Sequence, residues 1–419
     1  MEQKKPELLL PASSLEVLKT AVLYGADAVY IGGELFGLRA SAHNFDRPQM
    51  EEAISYAHAH GVKVYVTVNI VAHNDDLAGV ETYLNELKEI RPDALIISDP
   101  GIFSMARKII PDMEIHISTQ ANNCNYGTYR FWYELGAKRV VSARELSVEE
   151  IADIRAHIPE DLEIETFVHG AMCISYSGRC LLSNYFTGRD ANQGACTHPC
   201  RWKYYVMEEQ RPGEFLPVEE NERGTYIFNS KDLCMIDHIP ELVKAGIDSF
   251  KVEGRMKTAL YVATVASVYR RAIDDYFRDP ALYEANRSVY QEEICKCTYR
   301  QFTTGFFFGK PTHETQIYDS NTYVREYTYL GRIEQIEENG DIVLTQRNKF
   351  SVGETVELMK ENGFYQEFTV SRILDEKGIE MESAPHPKQK ITVSLKSKDG
   401  NGAECSKVGL LLRKPEETC

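Results

Sequence analysis

Four cysteines, Cys173, Cys180, Cys196 and Cys200, fall within 28 positions, and the other six are spread over the rest of the chain. A cluster this dense, in a chain that opens without a secretory pattern, points to metal rather than to disulfides. Six residues separate the first pair, fifteen the next and three the last. Structural zinc favours short knuckles at both ends of its ligand set. Here only Cys196-Thr-His-Pro-Cys200 is of that kind. Iron–sulfur clusters spread their thiolates over several ångströms and accept irregular gaps. The spacing therefore admits a 4Fe–4S cluster or an all-thiolate zinc, with four buried free thiols as the bland alternative. His198, inside the knuckle, reads as a surface turn residue. Glycines at 170, 178 and 194 let the backbone pass close to a bulky inorganic group.

These cysteines need a frame. The chain has 419 residues, 43% of them hydrophobic, enough for one large domain and a smaller one. The first 260 residues alternate short β-branched runs with helical stretches. Strands are expected at 7–10, 28–31, 63–69, 94–98, 114–118, 139–142, 162–168 and 249–253. Nearly continuous apolar strands suit a parallel sheet buried on both faces, and eight such units suit a TIM-like (β/α)8 barrel. A doubly wound open sheet is the alternative. The barrel is expected over 1–280, with the cysteines after strand seven and an insertion near 205–226. A connecting segment follows at 281–327. Short alternating runs then predict a small all-β barrel or sandwich over 328–419.

The N-terminus has no apolar run suited to a signal peptide, and no stretch approaches the roughly 20 apolar residues that span a bilayer. The chain reads as cytoplasmic, with no membrane partner and with reduced thiols. Its formal charge of −16 speaks against a nucleic-acid partner on the whole-chain sum, although local patches decide binding.

Several blocks carry a resemblance. They are Glu165-x-Phe167-x-x-Gly170-Ala-Met-Cys173-x4-Gly178-x-Cys180-x-x-Ser183, Asn192-Gln-Gly-Ala-Cys196-x3-Cys200-Arg201-Trp202, Asn229-Ser230-Lys231-Asp232-Leu233, Lys251-Val-Glu253-Gly-Arg255-Met-Lys257 and Phe302-Thr-Thr-Gly305-Phe. Together they resemble peptidase family U32, the collagenase-like proteins, over nearly the whole chain. The family name implies proteolysis, yet the sequence holds neither H-E-x-x-H nor G-x-S-x-G. Other branches of the family hydroxylate without oxygen, on ubiquinone precursors, ribosomal RNA or the wobble uridine of tRNA. The Cys-Arg-Trp block and the C-terminal domain make this chain most similar to the last, TrhP-type branch. That resemblance implies conversion of the wobble uridine to 5-hydroxyuridine, an iron–sulfur cluster on Cys173, Cys180, Cys196 and Cys200, and prephenate as hydroxyl donor. It also implies tRNA as partner and a homo- or hetero-dimer. A peptidase and a non-catalytic barrel subunit are the alternatives.

A small carboxylate co-substrate calls for cationic forks. Arg144 and Arg255 at strand ends are the candidates, with Lys251 beside them. His169, Glu165 and Glu253 are candidate proton carriers. Asn69 and Gln120 could orient a base or a donor carboxylate. Arg179 could neutralise a thiolate-rich cluster. Arg201, Trp202 and Lys203 interleave charge with an aromatic ring, as RNA contact requires.

Overall fold

The structure is a computed structural model that describes residues 4–34, 36–37, 44–173, 175–177, 179–202, 205–206, 216–217, 229–310, 316–317, 323–361, 363–397 and 407–416. Seven strands, β1 (Glu7–Pro11), β2 (Ala28–Gly32), β3 (Lys63–Val68), β4 (Ala94–Ile97), β5 (Glu114–Ile117), β6 (Arg139–Val141) and β7 (Glu163–Ala171), pair in sequence order and in parallel. An eighth, Ser249–Val252, pairs in parallel with both β7 and β1. That double pairing closes the sheet, so the barrel expected from the alternating pattern is present and the open sheet is excluded. Strands β2 and β4 are buried along their whole length, as continuous apolar runs between a filled interior and covering helices must be.

One feature of the sheet was not foreseen. Asp232–Cys234 runs antiparallel to the end of β7, and Phe302–Thr303 lies parallel to Asp232–Leu233. Three-residue strands leave too little periodicity to detect. Of the expected insertion near 205–226, only Tyr205–Val206 and Leu216–Pro217 are described, as a short antiparallel ladder.

The chain divides into two compact units, and not at the linear boundaries expected. The first holds residues 1–15, 27–256 and 300–323. The second holds 16–26, 257–299 and 324–419. Its antiparallel strands close on themselves, because Thr355–Met359 pairs both with Leu411–Pro415 and with Tyr365–Leu374. This is the small β-barrel expected after residue 328. Helix α1 (Leu15–Leu23) belongs with it because the Tyr24 hydroxyl, just past the helix, donates to Met359 O at 3.1 Å and accepts from Leu411 N–H at 3.0 Å. The hydroxyl of Tyr329 also donates to Glu16 at 3.2 Å.

The first unit's barrel interior carries charge. Alternation along β7 puts Glu163, Glu165 and Phe167 on one face. Arg139, which opens β6, spans the gap. Its Nη1 donates to Glu7 Oε1 at 2.6 Å and to Glu165 Oε2 at 2.9 Å. Its Nε and Nη2 donate to Glu163 at 2.8 and 2.6 Å. Lys251 Nζ donates to the other oxygen of Glu165 at 2.7 Å, and the Tyr65 hydroxyl donates to Glu7 at 2.7 Å. Glu165 is fully buried. Burial alone would raise its pKa, but the charges of Lys251 and Arg139 outweigh it and hold the carboxyl at about 2. His116, fully buried and near Arg139, is driven the other way: burial first, then Arg139, lower its pKa and keep it neutral.

Both shifts make the barrel acid-sensitive. His116 has a depressed pKa in the folded state, so its contribution is whole above the unfolded value near 6.5 and declines as pH falls below it. The contribution of Glu165 is whole above the unfolded carboxyl range and is lost as pH falls toward about 2. Urea unfolding across pH is therefore expected to show a first decline below about 6.5, absent in His116→Phe, and a second in the acid range. Arg139→Met, which takes the shared cation from three carboxylates, is expected to lower stability by about 3–5 kcal/mol at neutral pH.

Candidate active site

The barrel delivers its strand ends to one cavity. One wall takes Thr67 and Asn69 from the end of β3, Ser118 and Gln120 after β5, Arg144 after β6, and Lys251, Glu253 and Arg255 from the last strand. The other wall comes from the excursion after β7: Cys173, Tyr176, Cys180, Cys196, His198 and Cys200. All four clustered thiols thus share a cavity with both candidate arginines, at the carboxyl ends of the strands where barrel chemistry gathers. Cys173 is exposed and the other three are half-buried.

Local hydrogen bonds set the excursion. The short helix Leu182–Thr187 is pinned to the turn that carries Cys196. The buried Ser183 hydroxyl accepts from Thr197 N–H at 3.0 Å, and Thr187 Oγ1 donates to Ser183 O at 2.7 Å. Asn192 O accepts from Val71 N–H at 3.2 Å, and Asn122 Nδ2 donates to Ser177 O at 3.3 Å. The excursion is therefore tied to the loops after β3 and β5. Gly194 turns the chain at φ +84°, a conformation that side chains disfavour, two residues before Cys196. The His198 N–H donates to Cys196 Sγ at 3.4 Å, and its ring Nδ1 lies 4.0 Å from the same sulfur. His198 lines the cavity, where a surface turn residue was expected. Among the described residues, no three His, Cys, Asp or Glu side chains form a single-ion site.

The cationic wall is organised by aromatic rings. Arg144 lies over Phe167, with Cζ 3.8 Å from the ring centroid. Its Nη1 donates to Ala171 O at 2.7 Å and its Nη2 to Glu253 Oε2 at 2.8 Å. The Lys251 ammonium sits 4.7 Å from the Tyr30 centroid and 5.5 Å from that of Phe167. Arg255 donates from Nη1 to Thr67 Oγ1 at 3.1 Å and from Nη2 to Asn44 Oδ1 at 2.9 Å, both neutral oxygens. It fits because Gly32, at the end of β2, has no side chain: a Cβ there would stand 2.0 Å from Arg255 Nη2. Gln120 contributes a buried Oε1 with no hydrogen-bond partner among the described residues. Asn69 Nδ2 reaches Ser118 Oγ at 3.4 Å.

Two expected proton carriers are not on the cavity wall. Glu165 is the ionised strut described above, with its oxygens held by Arg139 and Lys251. A carboxyl with a pKa of about 2 does not accept and release protons near neutrality. His169 is displaced by a bulge. Opposite the last strand, Lys251 pairs with Phe167 but Val252 pairs with His169, so β7 carries one extra residue. An extra residue reverses the alternation of faces. Phe167 points into the cavity, whereas the His169 ring packs against Phe302 at 5.5 Å. Glu253 does line the cavity, held by Arg144. Of the expected RNA contacts, Trp202 is 45% exposed and follows the turn Pro199–Arg201. Lys203 lies outside the described residues, as does the side chain of Arg201. Sequence reading missed Arg139, Tyr30 and Phe167 as site-shaping residues. The Glu163/Glu165 spacing was the available signal, since it places two carboxylates on one strand face in need of a cation.

The fold and site define a barrel protein with a thiol-lined cavity at its strand ends. Peptidase family U32 matches residues 13–317, and its C-terminal domain matches 325–403. The chain belongs to that family. It is 42% identical over 396 residues to tRNA hydroxylation protein P1 of Bacillus subtilis, covering 94% of this chain and 93% of that one. It is 41% identical to tRNA hydroxylation protein P of Escherichia coli, covering 91% and 92%. A 37% match over 322 residues links it to a 23S rRNA 5-hydroxycytidine synthase of Escherichia coli, covering 76% of this chain and 47% of that one.

Removing Arg144 leaves the Glu253 carboxylate and Ala171 O without their donor and uncovers Phe167. Arg144→Ala is expected to cost about 2–3 kcal/mol in urea unfolding.

Proposed function

We propose that this chain hydroxylates RNA, converting the wobble uridine of tRNA to 5-hydroxyuridine, with an iron–sulfur cluster on Cys173, Cys180, Cys196 and Cys200 and prephenate as hydroxyl donor. The observation that carries this reading is the sharing of one cavity by four cysteines and two arginines. The relatives named for tRNA hydroxylation, matched over more than nine-tenths of both chains, supply the substrate class.

The donor set suits a group wider than a single ion. Thiolates on one zinc lie about 2.3 Å from the metal and so crowd together. Four thiols distributed around a cavity wall suit a four-iron cluster, whose corners stand apart. The N–H donated by His198 to Cys196 Sγ orients that sulfur in the turn. When bound, the cluster supplies one-electron chemistry without dioxygen.

The remaining residues bind and orient. Prephenate carries two carboxylates, and Arg255, which lines the cavity where it reaches Thr67 and Asn44, is the guanidinium we assign to one of them. Arg144 is already paired with Glu253 and fixes that wall rather than competing for the donor. Glu253 is the carboxylate placed to take a proton at the cavity. The buried Gln120 Oε1 offers an acceptor that the N3–H of uracil could meet. Tyr30 and Phe167 present apolar surface that keeps water from the reacting edge. No helix among the described residues is long and apolar enough to cross a membrane. We place the chain in the cytoplasm, where tRNA and reduced thiols are found, and in a homo- or hetero-dimer as the resemblance implies.

Anaerobically purified protein is expected to be brown, with broad visible absorbance and about four irons per chain. Alanine at any of the four cysteines is expected to abolish the colour. Colourless protein with one zinc per chain would contradict the cluster. Nucleoside mass spectrometry tests the substrate: tRNA from a strain lacking the gene and any duplicate should lose 5-hydroxyuridine, and the wild-type gene should restore it. Unchanged tRNA would remove the RNA reading. Gly32→Ala should push Arg255 off Thr67 and raise the KM for the donor at least about tenfold, with the colour retained.

A further inference from the structure

The chain carries −16 overall, yet residues 171–202 hold three arginines, one aspartate and no lysine or glutamate, a local +2. Arg179 and Arg189 are exposed within this stretch. So are its large apolar side chains: Tyr185 is 81% exposed and Leu181 71%. Phe186 and Trp202 are also exposed. The Tyr185 and Phe186 rings meet edge to face at 5.1 Å, and Phe186 lies 6.0 Å from Trp202. Folding does not need these rings on the surface. A single exposed aromatic needs no explanation, but contiguous rings in a stretch with two exposed arginines, in an acidic protein, do.

The patch is also held in place. Ser183, one turn from Phe186, is fully buried and bonded to the Cys196 turn through Thr197. Leu181 directly follows Cys180, and Trp202 lies two residues beyond Cys200, both of which line the cavity. The rings therefore sit beside the cavity mouth on a preorganised turn of helix.

We infer that the exposed aromatic face of the helix Leu182–Thr187, Tyr185 and Phe186 with Trp202 beside them, is a stacking platform for unpaired nucleotides that flank the target base, with Arg179 and Arg189 meeting their phosphates. This rests on the RNA reading above and extends it from the cavity to the surface around it. Positive charge interleaved with rings fits single-stranded nucleic acid, since any base can stack and any phosphate can pair with arginine. It also explains how a chain of charge −16 holds a polyanion: the binding charge is local. The platform disfavours duplex, because stacked base pairs hide the faces it offers.

The test is fluorescence anisotropy with a labelled anticodon stem-loop RNA, using full-length holoprotein prepared anaerobically. Tyr185→Ala/Phe186→Ala is expected to raise Kd at least about fivefold, while visible absorbance and iron content stay at wild-type values. Tyr185→Phe should restore near wild-type binding, because the ring and not the hydroxyl stacks. Arg189→Gln should reduce the slope of log Kd against log salt by about 0.7, one phosphate contact on a single strand. A double variant that keeps its iron and binds the stem-loop as tightly as wild type overturns the inference and leaves the RNA reading standing. Wild-type protein that binds no stem-loop, from a strain whose tRNA is unchanged on deletion, removes the RNA reading itself. A double variant that turns a dimer into monomers without altering RNA affinity assigns the patch to a second copy of the chain and also overturns the inference.

Discussion

The cavity rests on a buried carboxylate held between two cations. Glu165 takes Arg139 on one oxygen and Lys251 on the other, so a charge that burial would expel is kept in the barrel interior. Each partner then orders something else. Arg139 gathers Glu7 and Glu163 and ties β1 to β6 and β7. Lys251 turns toward the rings of Tyr30 and Phe167, which form apolar surface at the cavity. Arg144 lies over Phe167 and brings Glu253 with it. The order of the cationic wall thus runs outward from one ionised group, and each contact constrains the next.

The thiol wall depends on a different kind of constraint. It is built from an excursion with little regular structure, and hydroxyl and amide side chains take the place of a ladder. Ser183, Thr187 and Thr197 bond to one another, while Asn122 and Val71 fasten the segment to loops of the barrel. Residues that compete with helices and strands for backbone hydrogen bonds suit such a segment. The same bonds orient the helix Leu182–Thr187, so the wall of the cavity and the aromatic surface next to it are one mechanical piece.

The bulge in β7 shows how one residue reassigns chemistry. Without it, simple alternation would aim His169 inward beside Phe167, and a histidine at a strand end next to cysteines would look like a proton carrier. With it, the ring packs against Phe302, outside the cavity, and Glu253 is the carboxylate that remains at the mouth. The family name suggests hydrolysis, whereas the cavity gathers thiols, arginines and an amide oxygen that has no hydrogen-bond partner among the described residues.

The barrel was legible in the sequence because its signal is periodic and repeated: eight apolar runs of strand length, separated by helices, admit few closed solutions. The cysteine set was legible because four thiols in 28 positions is a local anomaly of composition. Arg144, Arg255 and Glu253 were legible as charged residues at or just beyond the ends of expected strands. What stayed hidden depended on register and on partners distant in the chain. Whether Glu165 moves protons or braces the barrel turns on Arg139 and Lys251, which are 26 and 86 residues away. Whether His169 faces in or out turns on one unpaired residue in a ladder. The exposure of Tyr185 and Phe186 could not be read at all, since six residues of helix show no face until the turn they pack on is known. Composition and period determined the scaffold and the cysteine set; only tertiary structure decided which charges pair with one another, because those partners are distant in the chain.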